Sequence, residues 1–247
     1  MTELVAIHYS PWSERARWAL DHHRVSYRER EHLPMLGEPA LRLRARRFRG
    51  RITVPILFAR GETLADSFDI ARWAEANGAG EPLFPKGRLD DVKRWNDASE
   101  RALASGRVMS LQRVSQDQAA QLEAIPRAVP QWIRRFGGAL TRSALTWMSK
   151  KYRFDDEAIE TRATTLEAVM REVQKALSGH DYLLDDRFSY ADVTMACGLQ
   201  LVSPVGDEFI RIGKATRACC TDRELVAKYR EVIDWRDALY RKHRRRP

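Results

Sequence analysis

Three cysteines in 247 residues are too few for a disulfide framework. They fall at Cys197, Cys219 and Cys220, and adjacent cysteines rarely reach disulfide geometry. A reducing cytoplasm is the simplest compartment for such a chain. No apolar run approaches the length needed to cross a bilayer. The N-terminus has no basic stretch leading into an apolar one, so no secretory signal is expected. Metal-ligand spacing is missing as well: His8, His22, His23 and His32 give no paired-histidine pattern with a carboxylate partner. No internal repeat, low-complexity tract or nucleic-acid-binding module is apparent. No metal and no nucleic-acid partner are therefore expected.

What is present suffices for a packed core. Hydrophobic residues make up 44% and aromatics 9%, and the length allows one large or two small domains. Net charge is +9, and much of the excess sits in two clusters. Residues 42–51 hold Arg42, Arg44, Arg46, Arg47, Arg49 and Arg51, and 241–246 reads Arg-Lys-His-Arg-Arg-Arg. The plain expectation is a solvated loop and a frayed tail. The alternative is attraction of an anion.

The most informative segment lies at the start. Leu4-Val5-Ala6-Ile7-His8-Tyr9 is an apolar strand, and Ser10-Pro11-Trp12-Ser13 opens a helix. Ser10 fits the N-cap and Pro11 the first helical position. Trp12, Ala16, Ala19, Leu20 and His23 then recur at helical spacing. A strand feeding a helix N-terminus gathers N–H groups and a positive dipole end, which suits an anion such as a thiolate.

A second apolar run, Thr53-Val54-Pro55-Ile56-Leu57-Phe58, contains a proline that a central strand would reject. It fits a strand that begins there after a cis Val54–Pro55 bond, which leaves the preceding backbone to a ligand. Ala59-Arg60-Gly61-Glu62 turns the chain, Thr63-Leu64-Ala65 returns, and Asp66-Ser67 opens a helix with Ile70, Trp73, Ala74 and Asn77 on one face, ended by Gly78.

Ser10-Pro11-Trp12-Ser13, Val54-Pro55 and Asp66-Ser67, in this order and spacing, resemble the soluble glutathione transferase superfamily in its serine-type members. The resemblance implies a thioredoxin-like α/β domain over 1–78 followed by an all-α domain. It implies glutathione as co-substrate, and an activity in which the glutathione thiolate attacks a small apolar electrophile. The competing expectation is a glutathione-binding interaction protein of the same fold with little turnover. A homodimer is implied too, while a membrane surface is the less favoured partner. Ser10 is the first candidate for stabilising the sulfur, followed by Ser13 and then Tyr9. Trp12, Val54 and Pro55 would flank the tripeptide, with the Val54 backbone pairing to its cysteinyl part. Asp66 and Ser67 would hold the γ-glutamyl end, and Arg51 the glycyl carboxylate. With serine at both 10 and 13, disulfide exchange through a protein thiol is excluded at this turn.

Residues 79–88, with two prolines and two glycines, read as a linker, and 89–247 reads helical. Leu89, Val92 and Trp95 begin one helix. Ile159, Ala163, Leu166, Met170, Val173 and Leu177 make an amphipathic stripe, and Leu225, Tyr229, Val232, Ile233 and Leu239 mark a last long helix. Ser189 and Asp192 form a capping box with a folding role, as in the second domain of the family. The basic, apolar stretch 129–152 reads as core helices and a loop rather than an interfacial membrane helix, because Gly137-Gly138 interrupts it. The resemblance makes Trp132 and Phe136 candidates for the substrate pocket.

Overall fold

Leu4, Val5 and Ala6 are fully buried or nearly so, and they build the central strand β1 (Glu3–Ala6). The computed structural model describes residues 1–34, 36–125, 146, 158–184 and 187–244. β1 pairs in parallel with β2 (Arg28–Glu31) and antiparallel with β3 (Ile56–Ala59), which pairs antiparallel with β4 (Glu62–Leu64). The sheet order is β2-β1-β3-β4. The sequence predicts a second strand over 25–31, but β2 is shorter: only Arg-Glu-Arg-Glu pairs, all exposed. A fully charged edge strand resists pairing with another chain. The β3–β4 hairpin turns through Arg60 and Gly61, both at positive φ (50° and 86°). That backbone matches the twist of the flanking strands.

Helix α1 (Pro11–His22) follows β1, the short α2 (Glu38–Arg44) lies in the arginine-rich segment, and α3 (Ser67–Asn77) follows β4. α3 packs against α1. Gly78 ends α3 in extended backbone, φ −113°, so no left-handed conformation calls for glycine there. The reason is steric: a Cβ on Gly78 would sit 2.3 Å from the carbonyl oxygen of His23, just beyond α1.

The chain then becomes helical, and no strand forms among the described residues of 89–244. α4 (Leu89–Gln116) packs on α6 (Ile159–Ala176) and α7 (Tyr190–Gly198), with α5 (Gln118–Glu123) beside its C-terminal end. Every residue of α7 is buried, and α7 packs on both α4 and α1. Its N-terminus carries the expected capping box. The Asp192 carboxylate accepts from the N–H groups of Leu183 and Ser189, both at 2.8 Å, and from the Ser189 hydroxyl at 3.0 Å. The expected last long helix is broken. α8 (Lys214–Cys219) is followed by α9 (Arg223–Lys228) and α10 (Arg230–His243), separated by Tyr229 at φ −118° and ψ 42°. The fold is thus a thioredoxin-like α/β unit with a mixed sheet, followed by a helical unit. One apolar core runs through both, including Leu4 and Trp18 on one side and Trp95, Met170 and Tyr240 on the other.

The segment after α10 is not frayed as far as Arg244. The Arg244 side chain is 3% exposed and pairs with Glu14 and Asp21 of α1, each at 2.6 Å. His243 stacks on Phe188 at 3.9 Å between ring centres and lies 3.0 Å from the Tyr182 hydroxyl. Arg236, Tyr240 and Arg244 occupy successive buried positions at helical spacing. Trp132 and Phe136, with nearly all of 129–152, lie outside the described residues.

Candidate functional site

The strand register brings the three sequence signals to one end of the sheet. Val5 pairs with Ile56, so two residues further on the end of β1 faces Val54. Leu57 pairs with Leu64, so Pro55 falls opposite Asp66. The Ser10 turn, the Val54–Pro55 bond and the Asp66-Ser67 helix start are therefore neighbours. The Val54–Pro55 bond is cis, and β3 begins immediately after it. Among the described residues, nothing is hydrogen-bonded to the Val54 backbone. Ile52 is buried with Val5, Leu41 and Ile56, which anchors the loop carrying exposed Arg51 beneath this sheet end.

The two serines of the turn are differently placed. Ser10 is the N-cap of α1, half-buried, and its hydroxyl oxygen accepts from the Ser13 N–H at 3.4 Å. That leaves its O–H to donate outward. Ser13 is fully buried, and its hydroxyl accepts from the Ile7 N–H at 3.1 Å. Ile7 is held at its other end too: its carbonyl accepts from Ser10 N–H at 3.1 Å and from Arg17 at 2.9 Å. Tyr9 is exposed.

Asp66 caps α3 by accepting from the Phe68 N–H at 2.7 Å, and it remains exposed while Ser67 is buried behind it. Trp12 turns toward the helical unit. Its indole N–H donates to the Glu100 carboxylate of α4 at 2.9 Å, and Arg107 lies 4.8 Å above its ring. Arg15, fully buried, also pairs with Glu100. Glu100 and Arg107 stand two turns apart on α4. That spacing is visible in the sequence, but nothing local says that this face meets Trp12.

All three cysteines are free thiols, Cys197 and Cys219 buried and Cys220 partly so. Burial pushes the Cys197 thiol up to about 12 and raises those of Cys219 and Cys220. Among the described residues no group of three or more His, Cys, Asp or Glu is placed to hold a metal ion. No described helix is long and apolar enough to cross a membrane. A cavity of about 790 Å³ opens between α6 and α10, lined by Lys175, Tyr182, Trp235 and Lys242 among others, and none of the residues singled out from the sequence lines it.

A cis-proline loop and a capped helix start at the end of a small mixed sheet, with a helical unit packed alongside, define a two-domain protein of thioredoxin-like plus all-α design. Two family models match the sequence. The glutathione S-transferase N-terminal domain matches residues 9–77, and the glutathione S-transferase C-terminal domain matches residues 139–241. The chain belongs to the glutathione transferase superfamily. No curated protein matches it. Solved structures similar in fold include a glutathione S-transferase from Methylobacillus flagellatus with glutathione bound, at 16% identity and TM-score 0.61, covering 98% of this chain and 95% of that one. A possible glutathione S-transferase from Rhodopseudomonas palustris has the same identity and TM-score, covering 100% and 99%. A glutathione S-transferase from Methylobacterium radiotolerans, in complex with glutathione sulfonate, follows at 15% and 0.57, covering 98% and 91%.

Proposed function

We propose that this chain is a glutathione transferase whose Ser10 hydroxyl and α1 N-terminus hold glutathione as a thiolate for attack on a small apolar electrophile. The observation that carries this reading is the convergence of the Ser10 turn, the cis Val54–Pro55 bond and the Asp66 cap at one sheet end. Bound glutathione supplies the nucleophilic sulfur, which is reactive only when deprotonated. Lowering a cysteine-type thiol by two pH units takes ~2.7 kcal/mol of preferential stabilisation of the anion. One hydroxyl donor plus a helix N-terminus is of that order.

Each residue then has a task. Ser10 donates its O–H to the sulfur while its oxygen stays tied to Ser13 N–H. Val54 offers its backbone N–H and C=O to the cysteinyl part as a short strand pairing. Asp66 pairs with the γ-glutamyl ammonium, and the α3 N-terminus with Ser67 takes the α-carboxylate. Arg51 faces the glycyl carboxylate. Trp12, fixed by Glu100, forms the wall toward the helical unit with its ring. Residues 1–78 form the glutathione-binding unit, 79–88 the linker and 89–247 the unit that shapes the electrophile pocket, Trp132 and Phe136 included. The assembly is a homodimer. The exposed Leu36, Leu43 and Phe48 around α2 give it an apolar surface to bury, and light scattering measures its mass.

The test is calorimetry with glutathione, followed by pH–rate profiles. Ser10→Ala should cut turnover at neutral pH by ~10–1000-fold, with the defect shrinking as pH rises. Ser13→Ala should instead lower the melting temperature, because it removes the acceptor of the Ile7 N–H. Asp66→Ala should weaken glutathione binding by roughly 1.5–3 kcal/mol and raise KM more than it lowers kcat. No heat and no thermal stabilisation with millimolar glutathione would sink the reading.

A further inference from the structure

We propose that Arg244 is a positioning residue for the thiolate site: it neutralises Glu14 in the first turn of α1 and so keeps that helix end positive at Ser10. The inference rests on the function proposed above. Glu14 lies one helical turn beyond Ser10, and its N–H donates to the Ser10 carbonyl at 2.9 Å. Its side chain is buried, 3% exposed. A buried carboxylate in the first turn draws on the same N-terminal field that a bound thiolate needs. Unneutralised, it would raise the thiol pKa by repulsion.

Two guanidiniums remove that penalty. Arg244 Nε meets Glu14 Oε1 at 2.6 Å, and Arg17 Nη1 meets Glu14 Oε2 at 3.2 Å. Arg17 is shared, because its Nε also pairs with Glu29 of β2 at 2.9 Å. Arg244 is shared too, with Asp21. Burial alone would disfavour the Arg244 charge, but Glu14 and Asp21 outweigh it and hold its pKa above the ordinary value. The other ionisable groups felt at this spot are Arg15 on α1, Tyr27 before β2, whose hydroxyl donates to Asp21 at 3.1 Å and whose pKa burial raises, Cys197 on α7 and Tyr240 on α10. Burial pushes Cys197 up to about 12 and Tyr240 well above its usual range, so both stay neutral where the enzyme would work. Arg244, at 2.6 Å against 3.2 Å for Arg17, is therefore the closer of the two cations that balance Glu14. The same network reaches the turn mechanically: Glu14 holds Arg17, and Arg17 holds the Ile7 carbonyl that also receives Ser10 N–H.

At an effective dielectric of about 20 and a separation on the order of 10 Å, one unbalanced charge moves a thiol by roughly one pH unit. The experiment titrates glutathione bound to the parent and its variants by the ultraviolet absorbance of the thiolate, with calorimetry confirming binding first. Arg244→Gln should raise the midpoint by roughly one unit, about a tenfold loss of thiolate below it. Glu14→Gln, which keeps shape and removes only charge, should lower the midpoint, and the double variant should return near the parent. A midpoint unmoved in Glu14→Gln overturns the inference even if Arg244→Gln fails to fold. A melting-temperature change in Arg244→Gln without a midpoint shift also overturns it, since that is a purely structural role. Absence of glutathione binding in the parent overturns the proposed function, and this inference with it; binding with unmoved midpoints overturns this inference alone.

Discussion

Arginine crowds both 42–51 and 241–246, and the two segments look alike on paper. In three dimensions they differ. In the first, Arg42 and Arg44 are tied down. Arg42 pairs with Glu38 at 2.7 Å and donates to the Gly50 carbonyl at 2.9 Å, and Arg44 pairs with Glu3 and lies 4.1 Å over the Phe58 ring. Arg46, Arg47, Arg49 and Arg51 stay on the surface. In the second, Arg244 is buried on two carboxylates. Partner carboxylates, not the density of positive charge, decide which arginine enters the protein. A guanidinium goes inside only where its desolvation is matched by good geometry.

The sharpest way to break this comparison is Arg244→Ala. It leaves Glu14 buried with only a shared partner and should cost ~3–5 kcal/mol, read as a lower midpoint in chemical denaturation. A loss no larger than that for a surface arginine would place both segments in one class.

Acid should undock the second segment and spare the first. Burial, then repulsion from Lys242 and His22, lowers the His243 pKa to about 4. Below ~6.5 the unfolded chain takes up a proton that the folded chain refuses, so stability falls as pH drops from ~6.5 to about 4. With partial exposure discounted, the contribution is ~1–2 kcal/mol. His23, also lowered to about 4 by burial and then His22, adds in the same direction. His243→Asn should flatten the melting temperature across that window relative to the parent, and an unchanged slope would refute the docking.

Within the first segment, Arg42→Ala should cost ~1 kcal/mol, since it frees two loop carbonyls and a carboxylate at a half-exposed site. Arg51→Ala should weaken glutathione binding by up to ~1 kcal/mol, an effect that added salt blunts. Arg47→Ala and Arg49→Ala should change stability by less than ~0.5 kcal/mol. If either weakens glutathione binding more than Arg51→Ala, the glycyl contact belongs to that residue.

Legibility followed sequence distance. Ser10, Pro55, Asp66 and the Ser189–Asp192 box are punctuation marks, each defined by the few residues around it, and the structure has them as caps and a cis bond. β2 was read too long because Val25 and Tyr27 are apolar and β-prone, yet they pack against the core beside the strand rather than within it. The break at Tyr229 was missed because an apolar stripe runs through it without a proline or glycine. Arg244 was illegible for another reason: its carboxylate partners lie 230 and 223 residues away. The helical spacing Arg236, Tyr240, Arg244 marks a buried face, but only a fold says what covers it.

Helix α1 carries one more implication. Nine of its twelve residues are buried, with α3 and α7 packed on it, Tyr240 of α10 edge-on to Trp18 at 4.6 Å, and Arg244 clamped to two of its carboxylates. It is interior to both halves of the molecule at once. Neither half can lose its structure without stripping cover from the other. The two units should therefore melt as one, with coincident transitions by every probe, and amides of α1 should be among the last to exchange with solvent. A fragment cut at the linker would lose partners of Trp18, Arg15 and Glu14 at its own centre. The boundary that divides this chain by architecture does not divide it by cooperativity.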